Sequence, residues 1–313
     1  MKVCISSPYS LAEPKGNSVT AQRIAGLLRS RGIDARASHG FDGGAADFLV
    51  SLHAVKGANA VQEYRRACPR GKVLVLITGT DIYQSLPAGS EEGEFCLQEA
   101  AAIVVPFGRM IGHLAPKWRS KAVVVPSSLE PLNVCASPRK SPFVISVIGH
   151  LRDVKRPFLT IEAISRHPEW REVEVWQIGQ ALSDQFTQTA RQWEERDRRY
   201  RWYGGVPREQ CLQLCAQSHL TVNSSELEGG ANAVLEAMTL GVPILASRID
   251  GNIGLLGEDY EGYFEGRMDD KLRDVFKNPQ ILKSWTQYAQ DRLSLFSADC
   301  ESQSWLDLIK QIS

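Results

Sequence analysis

Short runs of valine and isoleucine alternate along the chain with stretches whose apolar residues recur at helical spacing. In the first half the runs are Val3 to Ser6, Phe48 to His53, Val73 to Thr78, Ile103 to Val105 and Val123 to Val125. Between them, Val19 to Leu28, Ala60 to Ala67 and Met110 to Leu114 carry the three- and four-residue periodicity of helices. A second series starts at Phe143 to Gly149 and continues with Val173 to Gly179, Arg201 to Tyr203, His219 to Asn223 and Val242 to Ser247. These runs are continuous rather than alternating, which suits strands buried on both faces of a parallel sheet. With 313 residues the chain is longer than one core usually serves. The pattern therefore predicts an α/β protein of two Rossmann-like, doubly wound domains. The segment from Ser128-Leu129-Glu130-Pro131 to Ser141-Pro142 is weakly patterned and punctuated by proline, so the boundary is expected there, dividing residues 1–135 from 136–313. Ser302 to Ile312, with Trp305, Leu306, Leu308 and Ile309, reads as an amphipathic terminal helix and a candidate to pack back on the amino-terminal domain.

Composition narrows the class of partner. The 36 basic and 36 acidic residues balance, with 43% hydrophobic content, so no overall charge draws the chain to nucleic acid or to a lipid surface. Any anion site must be local. The seven cysteines are scattered and never spaced as a CxxC pair, which suggests neither a disulfide framework nor a zinc cluster. The chain opens Met1-Lys2-Val3-Cys4-Ile5-Ser6 as a short strand rather than a charged leader, and no segment approaches about 18 uninterrupted apolar residues. A cytoplasmic protein without a membrane span is expected.

The strongest local signal runs from Asn223 to Ala237. A buried strand ends in polar residues, Gly229-Gly230 makes a tight turn, and a helix is expected from about Ala231. Free backbone N–H groups and the positive helix end would then face one point, as an anion cradle requires. Glu236 lies about two helical turns beyond Glu228, where a carboxylate could accept both ribose hydroxyls. A plain strand-to-helix turn with Glu236 on the surface is the alternative. The companion turn is Gly149-His150-Leu151-Arg152-Asp153-Val154-Lys155-Arg156-Pro157, in which His150, Arg152 and Lys155 could offer positive charge to a diphosphate, or simply form a solvated basic loop. Both turns fall at carboxyl ends of strands, where open parallel sheets bind ligands.

Together, Gly149 to Pro157 and Glu228 to Glu236 resemble the donor-site signature of the retaining family-4 glycosyltransferases, which have the GT-B architecture of two Rossmann-like domains facing a cleft. That resemblance implies that Lys155 holds the diphosphate, Glu228 sits near the donor sugar, the amides of Gly229, Gly230, Ala231 and Asn232 bind phosphate, and Glu236 clasps the ribose. His150 stands where the family usually has arginine, with Arg152 placed to compensate. The Tyr203-Gly204-Gly205-Val206 turn matches the place where the family's backbone contacts the base. Further motifs narrow the likeness: Gly16-Asn17-Ser18-Val19-Thr20, Leu52-His53-Ala54, Thr78-Gly79-Thr80-Asp81-Ile82-Tyr83, Gly149 to Arg152, Glu228 to Asn232 and Ser247 to Tyr260. Over nearly the whole chain they resemble the selenosugar synthases of selenoneine biosynthesis. The likeness implies that selenophosphate attacks the anomeric carbon of a UDP-sugar, with UDP-N-acetylglucosamine the expected donor, giving a 1-selenosugar, UDP and phosphate. Its partners would be the enzymes that supply selenophosphate and use the selenosugar.

No cofactor and no metal are expected. The pair Asp269-Asp270 lies far from the turns and suits a helix start or a solvated face. A soft, anionic selenium nucleophile needs orientation and charge compensation more than a strong base. Gly16, Asn17 and Ser18, between the first strand and first helix, could meet an oxyanion with their amides, or Asn17 and Ser18 could merely cap the helix. His53, expected to end its strand facing the same cleft, could donate to a phosphate or take a proton; a structural role is the alternative. Gly79 and Asp81 could orient the acceptor, or Asp81 could cap a helix. His39, His113, His167 and His219 lack metal-ligand spacing, and Cys211 and Cys215 suit core packing. An ordinary UDP-sugar glycosyltransferase with a hydroxyl acceptor shares every donor-site residue. A catalytically idle nucleotide-sugar sensor is a third reading, disfavoured by Glu228, Glu236 and Lys155 occurring together.

Overall fold

The computed structural model describes residues 1–12, 16–129 and 132–313. Two compact units emerge: Met1–Ser128 with Leu295–Ser313, and Leu129–Ser294. The first holds strands β1 (Lys2–Ser7), β2 (Asp34–His39), β3 (Phe48–Leu52), β4 (Lys72–Leu76), β5 (Ala100–Val105) and β6 (Ala122–Val124), in the order β2-β1-β3-β4-β5-β6. The second holds β7 (Phe143–Ile148), β8 (Val173–Ile178), β9 (Tyr200–Trp202), β10 (Leu220–Asn223), β11 (Ile244–Ser247) and β12 (Tyr263–Phe264), in the order β12-β11-β10-β7-β8-β9. Every neighbouring pair in both sheets is parallel.

Continuous apolar character produces these sheets for the expected reason. Val3, Cys4 and Ile5 on β1 and Leu49 and Val50 on β3 are wholly buried, because helices cover both faces of the sheet. In each sheet the order reverses once, between β1 and β3 and between β7 and β10, so the turns after those strands flank a crevice at their carboxyl ends. Two strands are absent from the apolar pattern, β2 (DARASH) and the two-residue β12, and both lie at an outer edge. An edge strand pairs on one side only, so it needs no continuous apolar run.

The division of the chain departs from a simple cut at residue 135. Backbone bonds from Ala136 N to Leu240 O, Ser137 N to Ala216 O and Arg139 N to Gln217 O seat the connection in the second unit, which begins at Leu129. Glu130 and Pro131, in the expected connection, lie outside the described residues. The final helix, Ala298–Ile312, belongs to the first unit. Its Trp305, Leu308 and Ile309 join a core with Ile24, Leu28 and Val50. Glu301 on the same helix pairs with Arg23 and accepts from Ser128 N at 2.6 Å and Trp305 Nε1 at 3.3 Å. A buried charge held this way depends on all its partners. No helix among the described residues is long and apolar enough to cross a membrane.

Trp305 is fully buried, so Trp305→Ala should destabilise the first unit by about 3–5 kcal/mol. Urea unfolding followed by circular dichroism checks this, with the loss expected in that unit's transition.

Candidate active site

In the second unit the turn after β7 is built on glycine. Gly149 holds φ 154° and Gly179, after the neighbouring β8, holds φ 151°. A Cβ on Gly179 would fall on the Gly149 carbonyl, so only glycine lets the two turns press together. A bridge between Leu151 and Ala181 and the bond from Gln180 N to His150 Nδ1 at 3.2 Å tie them further. His150 therefore spends one ring nitrogen as an acceptor for the adjacent turn. Arg152 is exposed, and Asp153–Lys155 form a short 3₁₀ turn that brings Lys155 back beside Gly149.

The turn after β10 is strapped to this one. Ser224 Oγ donates to the carbonyls of Lys155 and Arg156, both at 2.9 Å, and Glu226 N donates to Val154 O at 2.9 Å. The straps bring Lys155 Nζ into an ion pair with Glu228 Oε1, the same oxygen that Ser225 Oγ reaches at 2.6 Å. Glu228 is buried at 8% exposure, while the Lys155 side chain keeps 19%. The cation thus retains access to solvent while its counter-ion is held from behind.

A second layer fixes the Glu228 loop. Fully buried Asn252 donates to Ser247 O at 2.9 Å and Asn223 Oδ1 at 3.2 Å. Ser247 Oγ donates to Ser225 O at 2.5 Å, and Gly251 lies so close that a Cβ there would fall on the Glu228 carbonyl. After Gly229 and Gly230, with Gly230 at φ 108°, Ala231 takes the N-cap position of the helix Asn232–Leu240, and no side chain among the described residues caps it. Its first-turn N–H groups are the kind of donors that anions satisfy. Glu236, on that helix, accepts from Arg208 Nε at 3.1 Å. Burial pushes the Glu236 carboxyl above its ordinary value, and the Arg208 charge opposes the shift. Val206 is half-buried against the cluster of Val144, Trp176, Ile178 and Leu214.

In the first unit, Gly16, Asn17 and Ser18 form the first turn of the helix Gly16–Ser30 rather than preceding it. Gly16 is exposed, Asn17 half-buried and Ser18 buried. His53 follows β3 directly, with φ 75° and a nearly buried ring whose Nδ1 lies 2.6 Å from Asp81 Oδ1. The expected direct contact of Asp81 with an acceptor is at odds with its setting. Its side chain is fully buried, its oxygens are occupied by His53 and by the Ala54, Val55 and Thr78 amides, and Gly79 beside it is half-buried. Burial would raise the Asp81 carboxyl, but the hydrogen bond with His53 and the Thr78 and Ala54 amides hold it below its ordinary value.

Sequence reasoning missed Arg208, Ser225 and Asn252. Ser225 lies in the Asn223 to Ala237 stretch and Asn252 in the Ser247 to Tyr260 stretch, but Arg208 carries no local signal. In the first unit a cavity of about 680 Å³ lies at the amino ends of β3 and β4, lined by Phe48, Pro69, Lys72 and Ser313, at the opposite end of β3 from His53. Among the described residues no group of three or more His, Cys, Asp or Glu could hold a metal ion.

The family model for glycosyl transferases group 1 matches residues 135–292. "Glycosyltransferase 1 domain-containing protein 1" of Xenopus tropicalis is 26% identical, with 79% of each chain covered. Among solved structures, Anabaena HepE in complex with UDP and glucose superposes with a TM-score of 0.77 at 15% identity, covering 99% of this chain and 100% of that one. Sucrose-phosphate synthase from Thermosynechococcus elongatus gives a TM-score of 0.79 at 12% identity, covering 100% and 99%. The two parallel six-stranded sheets share the GT-B fold of these structures. The matched segment contains the Gly149 and Gly229-Gly230 turns and spans half of the chain, which belongs to the group 1 glycosyl transferases.

Proposed function

We propose that the protein transfers a sugar from UDP-N-acetylglucosamine to selenophosphate, forming a carbon–selenium bond in selenoneine biosynthesis. The observation that carries the donor half is the Lys155–Glu228 ion pair, which joins the Gly149 turn to the Gly229-Gly230 turn and its uncapped helix. HepE, which was solved with UDP and glucose, lends support to the choice of nucleotide. The selenium half rests on the sequence resemblance over Gly16 to Thr20, Leu52 to Ala54, Thr78 to Tyr83 and Ser247 to Tyr260.

Departure of UDP builds negative charge on the diphosphate. Lys155, Arg152 and the amides of Gly229 to Asn232 would meet that charge more strongly in the transition state than in the ground state. Glu236 would accept the ribose hydroxyls, Val206 would border the base, and Glu228 would face the sugar. Selenium attacks C1 as the C1–O bond breaks with its electron pair going to UDP. Water then cleaves the P–Se bond, releasing phosphate and leaving the 1-selenosugar. Gly16, Asn17, Ser18, Gly79 and His53 would receive the acceptor, and divalent metal would not be required. The enzymes acting before and after it would supply selenophosphate and consume the selenosugar.

Incubation of the purified protein with UDP-N-acetylglucosamine and selenophosphate, in the presence of EDTA, should yield a hexosamine bearing the selenium isotope pattern by mass spectrometry. UDP release only with a hydroxyl acceptor would replace the selenium acceptor and leave the donor site standing. Lys155→Ala and Glu228→Ala should each lower turnover by about 100-fold or more, read as UDP formed per unit time. Wild-type rates in both would remove these turns from the chemistry.

A further inference from the structure

His53 has two features that the donor turns do not explain. Its φ of 75° lies in the left-handed region, which a non-glycine residue occupies only when its surroundings enforce it. Its Nε2 is buried and has no hydrogen-bond partner among the described residues. The other ring nitrogen shows how the side chain is held. Nδ1 lies 2.6 Å from Asp81 Oδ1, and the Lys56 amide approaches it at 3.3 Å. Nδ1 cannot donate to the first and accept from the second. The shorter contact, to a carboxylate, requires the proton to sit on Nδ1. Asp81 is itself fixed: Oδ2 accepts from Ala54 N at 3.1 Å, Thr78 N at 3.0 Å and Thr78 Oγ1 at 2.9 Å.

From this geometry we infer that Asp81 is a positioning residue, which fixes the Nδ1–H tautomer of His53 so that Nε2 offers its lone pair to the acceptor substrate. The inference rests on the glycosyltransferase reading and adds the acceptor's chemistry: a group with a transferable proton on oxygen, as in a monoprotonated phosphoryl oxyanion. That proton passes from the phosphoryl O–H to Nε2, and no bond to carbon or selenium changes in the step. The resulting imidazolium is balanced by the Asp81 carboxylate and holds the phosphoryl oxygen through an Nε2–H···O⁻ bond. A left-handed backbone and an unsatisfied ring nitrogen at one residue are then two parts of one arrangement. The fold keeps a hydrogen-bonding edge in reserve for a partner that substrate supplies.

The discriminating variant is Asp81→Asn. Three donors surround the Oδ2 position, so the amide oxygen must take it and the amide nitrogen must turn toward His53 Nδ1. Nδ1 then accepts, and the ring proton moves to Nε2. Nitrogen-15 spectra of histidine-labelled full chain read this directly, with the His53 signals assigned by their loss in His53→Gln. A proton on Nδ1 in the wild type that moves to Nε2 in Asp81→Asn is the expected result; one that stays, or a wild-type ring protonated on Nε2 alone, overturns the inference. With selenophosphate or a hydroxyl acceptor, whichever supports turnover, Asp81→Asn and His53→Gln should each slow UDP formation by about 100-fold. The double variant should be no slower than the worse single one. Additive losses would mean that Asp81 does not act through His53, and thermal melts show whether each variant is folded. If no acceptor supports turnover, the glycosyltransferase reading fails, while the tautomer spectra still decide the role of Asp81.

Discussion

The ion pair between Lys155 and Glu228 is the contact on which the proposed donor site depends, and parallel strand pairing makes it possible. Strands β7 and β10 are neighbours in register, with Val147 opposite Val222, so their following turns leave the sheet side by side. Because the strand order reverses between them, the helices after β7 and β10 diverge and leave the turns facing the same crevice. Ser224 then straps one turn to the other through the carbonyls of Lys155 and Arg156. Without that register the two motifs, far apart in sequence, would not form one site.

Electrostatics give the pair its chemical meaning. A partly buried cation and carboxylate lose hydration, which their mutual attraction offsets only when other bonds complete the set. Ser225 supplies such a bond on the Glu228 side, and the Asn252, Ser247 and Gly251 layer holds the loop that carries it. Among the described residues Lys155 has no comparable side-chain support from behind, and it keeps part of its surface in solvent. A diphosphate carries more charge than one carboxylate, so it can compete for Lys155 while Glu228 stays in place through Ser225. Glu236 is a parallel case: burial works against its charge, and Arg208 opposes part of that effect.

The sequence disclosed what is local. Glycine pairs, polar strand ends and the lysine after β7 are features of one turn each, and the structure brings Lys155, Glu228 and the Gly229-Gly230 turn together. It could not disclose partners fixed by strand order. His53 and Asp81 follow β3 and β4, and their meeting depends on those strands lying side by side. Arg208 reaches Glu236 from a separate helix, Arg208–Ala216. The missed strands have a different cause. Asp34–His39 is polar because a sheet edge tolerates it, and Tyr263–Phe264 is too short to show a period.

If Lys155 exchanges Glu228 for a nucleotide diphosphate, isothermal titration of UDP into wild type and Lys155→Gln will register the exchange. Wild-type protein should bind UDP, and Lys155→Gln should bind at least about tenfold more weakly, as expected when a charge-assisted contact to phosphate is lost. Equal affinity in the two proteins would contradict the assignment of this ion pair to the donor site.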